Sequence, residues 1–265
     1  MVRDRIVTRR FRHGRLCFLD PSPVANFDRL NKVHEWLASG EEIKVSSKVE
    51  ARLVKDEEGN SWFVKRYVSR SWFRLFLVLL GFNRGRRVFF LSCRLKEAGV
   101  KVPSPSACLV SSRGLHFNSW FVCEGLDAGK DLRNHFFDDR FDALGGARSA
   151  MDKTAAIVAR LHAKGFVHYD LKWANFMVGL DGVFYLIDLD GMRRPVLGAS
   201  RKMCRDVARF VVNAREFGLS EGDVNYWLCK YARLRGVDVA DIKKGMAPFY
   251  KKIVRKHRRK YNVSL

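Results

Sequence analysis

The chain has 265 residues, enough for one large domain or two modest lobes with a sizeable core. Its 50 Lys and Arg against 28 Asp and Glu leave a formal net charge of +22, which calls for an anionic partner: nucleic acid, a phospholipid surface or a polyanionic substrate. The longest apolar run, residues 75–80, is far below the ~20 residues of a membrane span, so a soluble or peripheral protein is expected.

Residues 1–40 read as a basic appendage ending in a short helix over 26–37. Arg3, Asp4, Arg5, Arg9 and Arg10 stand where a secretory leader would be apolar, so none is expected. From Ile43 the pattern becomes strand-like, over 43–45, 49–54 and 62–67. The turn-rich segments Ser46-Ser47-Lys48 and Asp56-Glu57-Glu58-Gly59-Asn60 separate these runs. A helix over 84–98 stops at Gly99, with Pro103 beyond it. Strands are expected at 107–110 and 120–123, and Glu124-Gly125-Leu126 is a candidate hinge. Beyond it, 149–163 carries apolar residues at helical spacing. The order predicts an α+β fold in two lobes. A small antiparallel sheet with one main helix (41–125) precedes a mostly helical lobe with a basic tail (126–265). The six cysteines lack C-x-x-C pairing and sit mostly among apolar neighbours, so buried reduced thiols and a cytosolic location are expected.

The densest chemical signal is 168–190, HYDLKWANFMVGLDGVFYLIDLD. His168-Tyr169-Asp170-Leu171 followed by Asn175 fits the H-x-D-L-x-x-x-N loop of protein-kinase-like phosphotransferases. Phosphoryl transfer asks for a carboxylate aimed at the acceptor hydroxyl and for oxygen ligands holding Mg²⁺ against the nucleotide phosphates. Asp170 can supply the first, Asn175 and Asp188 the second. The apolar runs 176–178 and 183–187 flank the turn Gly179-Leu180-Asp181-Gly182, a hairpin that would bring Asn175 and Asp188 to one end. Asp190, two residues on, is expected to support the metal site rather than ligate it.

Other positions complete the pattern. Lys65 in WFVKRY matches the strand lysine that pairs with the α- and β-phosphates of ATP. No G-x-G-x-x-G loop is present; Ser46-Ser47-Lys48 occupies the corresponding turn, where phosphate contacts from Ser47 and Lys48 and a plain turn both fit. Glu124 at the hinge is a further nucleotide-contact candidate. Lys172 stands where a cation can stabilise the transferring phosphoryl charge. His168 is expected to anchor the loop, and Asp206 to brace it from a neighbouring helix. The helix after Lys65 lacks the mid-helix Glu that a kinase lysine pairs with; its middle reads Arg86-Arg87-Val88-Phe89-Phe90 and its one acid is Glu97, near the end.

With HYDLKWAN, IDLD and the RDVARF helix in hand, the chain resembles the bacterial lipopolysaccharide core kinases, the Kdo and heptose kinases, over about residues 40–265. The resemblance is clearest at Lys65, Gly99-Val100-Lys101-Val102-Pro103, Asp170, Asn175 and Asp188. It implies transfer from ATP with Mg²⁺ to a sugar hydroxyl of lipid A-core, at the cytoplasmic face of the inner membrane. In that role Asp170 would be the catalytic Asp, Lys65 the ATP lysine, and Asn175 and Asp188 the metal ligands. Only 18 positions separate Asp188 from Asp206, with no A-P-E element, which favours a small or glycolipid acceptor over a peptide. Arg66, Arg70, Arg74, Arg84, Arg86 and Arg87 bracket the apolar run 72–80, and no acid follows Asp241. These segments suit an anionic membrane interface, although 72–80 also reads as an ordinary buried helix. The rival readings are an atypical small protein kinase, a pseudokinase, and a nucleic-acid-binding protein on the same fold. The complete set Asp170, Asn175 and Asp188 argues against the last.

Overall fold

The structure is a computed structural model and describes residues 6–69, 83–113, 116–127 and 129–261. It divides into two units, Met1–Glu97 with Val102–Asp127, and Ala98–Lys101 with Ala128–Leu265.

The first unit is built on strands rich in β-branched and aromatic residues, which pair into one antiparallel sheet. These are β1 (Ile6–Phe11), β2 (Gly14–Leu19), β3 (Glu41–Val45), β4 (Val49–Lys55), β5 (Ser61–Ser69), β6 (Pro105–Arg113) and β7 (His116–Glu124). Their spatial order is β1-β2-β6-β7-β5-β4-β3. Alternation along the pleat gives each face its own set of side chains. Leu16 and Phe18 of β2, Val64 of β5 and Trp120 and Val122 of β7 join Val33 and Leu37 of α1 (Leu30–Ala38) in one buried cluster. The register places Cys17, Cys108, Phe121, Lys65 and Ala51 in one row on the opposite face, across five strands. Helix α2 (Arg84–Glu97) lies on that face, where the Arg84 guanidinium stacks 4.8 Å from the Tyr67 ring centroid. Gly85 permits the approach, because a Cβ there would meet the Trp120 carbonyl oxygen at 2.7 Å.

Two expectations are corrected here. Residues 6–19 are not an appendage: β1 and β2 form a hairpin, and β2 pairs with β6 inside the sheet. The first run conceals itself because Val7, Thr8, Arg9 and Arg10 are all exposed on an edge strand. The second lacks polar alternation because Leu16, Cys17 and Phe18 are buried on both faces. Residues 98–101, expected in the sheet lobe, belong to the second unit. There the Lys101 carbonyl accepts from the Leu186 N–H at 2.8 Å, and the Gly99 carbonyl accepts from Arg160 Nη1 at 3.2 Å.

The second unit is mostly helical: α3 (Leu132–Asp139), α4 (Gly146–Ala163), α5 (Ala199–Glu216), α6 (Glu221–Arg235) and α7 (Val239–Tyr261). A small sheet of β8 (Lys130–Asp131), β9 (Phe176–Val178) and β10 (Phe184–Leu186) carries the hairpin expected from the sequence. Helices α4 and α6 bury Met151, Val158, Leu161, Trp227 and Tyr231, and the Trp227 ring stacks on Phe210 of α5 at 4.2 Å. No helix among the described residues is long and apolar enough to cross a membrane. Cys17, Cys93, Cys108 and Cys123 are buried, whereas Cys229 is exposed. The expected 72–80 segment lies outside the described residues.

Candidate active site

The 168–175 loop is held from beneath by a buried carboxylate. Asp206, fully buried on α5, accepts the backbone N–H groups of His168 at 2.5 Å and Tyr169 at 2.9 Å. Tyr169 sits in the left-handed region at φ 68°, a strained position for a residue with a side chain, and the bond from its own N–H holds it there. His162 of α4 completes the brace. Its Nε2 lies 3.5 Å from Asp206 and its Nδ1 2.7 Å from the Tyr231 hydroxyl. Complete burial pulls the His162 pKa below its ordinary 6.5, against the opposing pull of Asp206. The bracing role expected of Asp206 is thus present, and His162 and Tyr231 extend it inward.

The next turn is anchored by an aromatic core. Trp173 is fully buried against Phe136, Phe141, Phe210 and Phe217, and its backbone N–H donates to Asn213 Oδ1 of α5 at 2.9 Å. That packing fixes Asn175, itself buried, whose Nδ2 donates to the Asp170 carbonyl at 2.8 Å. The Ile187 N–H donates to the Asn175 carbonyl at 2.8 Å, and the Ile187 carbonyl accepts from His168 Nε2 at 3.2 Å. Residue 187 therefore clips both ends of the loop together and brings Asp188 beside Asn175 in the chain path. Asp188 adopts φ 56°, a second left-handed non-glycine position in this small region. Gly191 passes under the loop, where a Cβ would meet the His168 carbonyl oxygen at 3.1 Å. Asp190 lies in the turn between them, and its carbonyl accepts from Arg193 Nη1 at 3.1 Å.

The Asp170 carboxylate carries two cations. Lys172 Nζ is 3.2 Å from Oδ2, and Arg209 Nη2 is 2.5 Å from Oδ1. Sequence reading singled out Lys172 but missed Arg209. Its signal was there in RDVARF: Asp206 and Arg209 are three apart on one helix and share a face, so bracing by one implies proximity of the other. Arg205, on the same helix, stacks 5.7 Å from the Tyr169 ring centroid and adds a third cation to this side of the loop.

The donor set fits a hard divalent cation. The Asn175 amide nitrogen is committed to the Asp170 carbonyl, so its Oδ1, with the carboxylate oxygens of Asp188, could hold such a cation. Among the described residues no three His, Cys, Asp or Glu side chains cluster as a metal site of their own.

The nucleotide candidates stand in the first unit. Lys65, in mid-β5 between Ala51 and Phe121, places its Nζ 5.8 Å from the Tyr67 ring centroid. Ser46, Ser47 and Lys48 form an exposed turn, closed by the Ser46 hydroxyl and N–H, both donating to the Val49 carbonyl at 2.9 Å. Glu124 ends β7 with its carboxylate accepting from the Ser104 N–H at 3.1 Å. Helix α2 runs Arg84–Glu97 with no acid before Glu97.

A model of the lipopolysaccharide kinase (Kdo/WaaP) family matches residues 29–231. That range takes in α1 and the loop, and leaves out α7. Two 3-deoxy-D-manno-octulosonic acid kinases, from Vibrio vulnificus strains YJ016 and CMCP6, are each 27% identical over 139 residues, 52% of this chain and 50% of theirs. The chain thus spans about half the length of the curated relatives it matches. Among solved structures, the ROP18 kinase domain in complex with AMP-PNP and sucrose aligns with a TM-score of 0.48 at 14% identity, covering 82% of this chain and 81% of that chain.

Proposed function

The chain belongs to the lipopolysaccharide kinase (Kdo/WaaP) family, and from that membership we propose that it transfers the γ-phosphoryl group of ATP to a sugar hydroxyl of the lipopolysaccharide inner core. The observation that carries the reading is the Asp170 loop, braced by Asp206 through two backbone N–H groups and clipped to residue 187 beside Asp188. In this reading Asp170 orients the acceptor hydroxyl and takes its proton. Lys172 balances negative charge on the transferring group. Asn175 and Asp188 hold Mg²⁺, which when bound neutralises charge on the nucleotide phosphates. Lys65 pairs with the α- and β-phosphates, the backbone and side chains of Ser47 and Lys48 cover them, and Glu124 marks the strand end where the base is held.

Between the two core sugars, we favour 3-deoxy-D-manno-octulosonic acid over heptose. Both curated relatives carry that sugar in their names. Lys172, Arg205 and Arg209 gather on one side of the loop, and guanidinium groups suit the carboxylate of an acidic sugar. We further propose that the protein works at the cytoplasmic face of the inner membrane. Support comes from α7, whose Lys243, Lys244, Lys251, Lys252, Arg255 and Arg259 are all exposed. A charged face of this kind attracts anionic lipid. Mass spectrometry of lipopolysaccharide core from cells with and without the gene tests the reading. One phosphate on 3-deoxy-D-manno-octulosonic acid should vanish with the gene, and an unchanged core would contradict it.

A further inference from the structure

Cations alone draw a protein toward an anionic surface without fixing its depth or orientation, and α7 pairs its many cations with no apolar anchor: none of its large apolar side chains is exposed among the described residues. A different segment combines both features. Val196 and Leu197 are 95% and 80% exposed, an adjacent aliphatic pair held in water at the tip of the loop that follows Asp188. Between Met192 and Arg205 the sequence holds Arg193, Arg194, Arg201, Lys202 and Arg205 and no acid. Leu180 is as exposed, at 81%, but stands beside Asp181, whose charge an anionic surface would repel.

The tip is not a loose strand of chain. At its base Val167 and Arg193 exchange two backbone hydrogen bonds, at 2.9 and 3.0 Å. Pro195 stiffens the approach, and Lys202 Nζ donates to the Leu197 carbonyl at 3.0 Å, tying the tip to the first turn of α5. Val167 directly precedes His168, and three residues of chain reach at most ~11 Å from Arg193 to Val196. The aliphatic pair is therefore anchored at the foot of the loop that carries Asp170.

We propose that Val196 and Leu197 insert into the headgroup–acyl boundary of an anionic bilayer, with the surrounding cations on lipid phosphates, so that the Asp170 loop faces a glycolipid anchored in that leaflet. The proposal rests on the acceptor reading above and adds the surface and the orientation. Shallow insertion of this kind needs both apolar contact and charge, since either signal alone gives weak, reversible binding. Salt of ~1 M, which shortens the Debye length to ~3 Å, should weaken the charge component and leave the apolar one.

The experiment uses the full chain with phosphatidylethanolamine–phosphatidylglycerol vesicles, free of glycolipid and ATP. Leu197→Trp, read as the difference from wild type, should shift its emission to the blue and be quenched by lipids brominated on the acyl chain. The double variant Val196→Ser, Leu197→Ser should bind these vesicles at least about tenfold more weakly, as expected for removing two aliphatic side chains that are at least partly buried at the boundary. It should phosphorylate a short water-soluble core sugar as wild type does. Emission that ignores the vesicles, or a double variant that binds like wild type, overturns the insertion. An emission shift in a protein that phosphorylates no core sugar supports the insertion and overturns the acceptor reading, so the two failures are distinguishable.

Discussion

The two halves of the candidate machinery are built on opposite principles. In the second unit, the residues expected to do chemistry hang on a buried polar network: Asp206, His162, His168 and Asn175 are each 3% exposed or less, and their bonds converge on a few backbone groups. In the first unit, Ser47 and Lys48 lie on an exposed turn closed locally between Ser46 and Val49, with one backbone tie to β5, where the Lys48 carbonyl accepts from the Val68 N–H at 3.0 Å. Buried polar groups are costly unless partnered, and in this network most are, the His168 Nδ1 being the one buried polar atom of these four side chains left without a hydrogen bond, so the network favours one geometry. An exposed turn pays no such penalty and adapts to what it meets. The loop is accordingly held more rigidly than the turn, as the proposed roles of the two would require.

That contrast can be broken most severely at Asp170. Asp170→Asn should lower the turnover of core sugar by ~10²–10⁴, because the acceptor loses its base and one anchor, while the thermal midpoint stays near that of wild type. Near-normal turnover in this variant would move the catalytic role elsewhere. Next in size is the brace. Asp206→Ala leaves two loop N–H groups without their buried acceptor, and should cost about 2–5 kcal/mol of stability together with most of the activity. Denaturant unfolding measures this, and an unchanged midpoint would mean the loop holds its shape unaided.

A smaller effect follows from proton linkage. His162 is buried neutral, with its folded pKa depressed below 6.5, so the unfolded chain binds the extra proton first as pH falls. Stability should therefore be full above 6.5 and decline below it, by at most ~1.4 kcal/mol per pH unit until the folded value is reached. Unfolding measured between about pH 5 and 6.5 should show this slope in wild type and a flatter one in His162→Gln. Equal slopes would assign the acid sensitivity to other groups. The smallest effect is expected at the exposed turn. Ser47→Ala with Lys48→Ala should raise the KM for ATP by about threefold or less, since the backbone N–H groups remain. A loss comparable to that of Asp170→Asn would show that the turn is as rigidly engaged as the loop.

The same division explains what the sequence made legible. The grouping of Asp170, Asn175 and Asp188 was legible as a pattern because the H-x-D-L-x-x-x-N spacing and a hairpin of paired apolar runs are local, and Ile187, next to Asp188, is hydrogen-bonded to both ends of the 168–175 loop. Arg209 was not singled out because its meaning depends on a contact across 39 positions, from α5 to Asp170. Strands β1 and β2 escaped notice for a related reason. β1 pairs with β2, and the pairing of β2 with β6, more than ninety residues on for most of its length, decides which of its faces are covered; neither run shows alternation by itself. Helix α2 was legible to within a residue because Gly99 and Pro103 stop it locally.

The central claim concerns one reaction, and it is tested by incubating the purified chain with Mg·ATP and a deacylated core oligosaccharide ending in 3-deoxy-D-manno-octulosonic acid. The account predicts ADP release matched one for one by phosphate on that sugar, visible by mass spectrometry and absent without Mg²⁺. ATP hydrolysis with no phosphorylated sugar, or phosphate on a heptose alone, would contradict it.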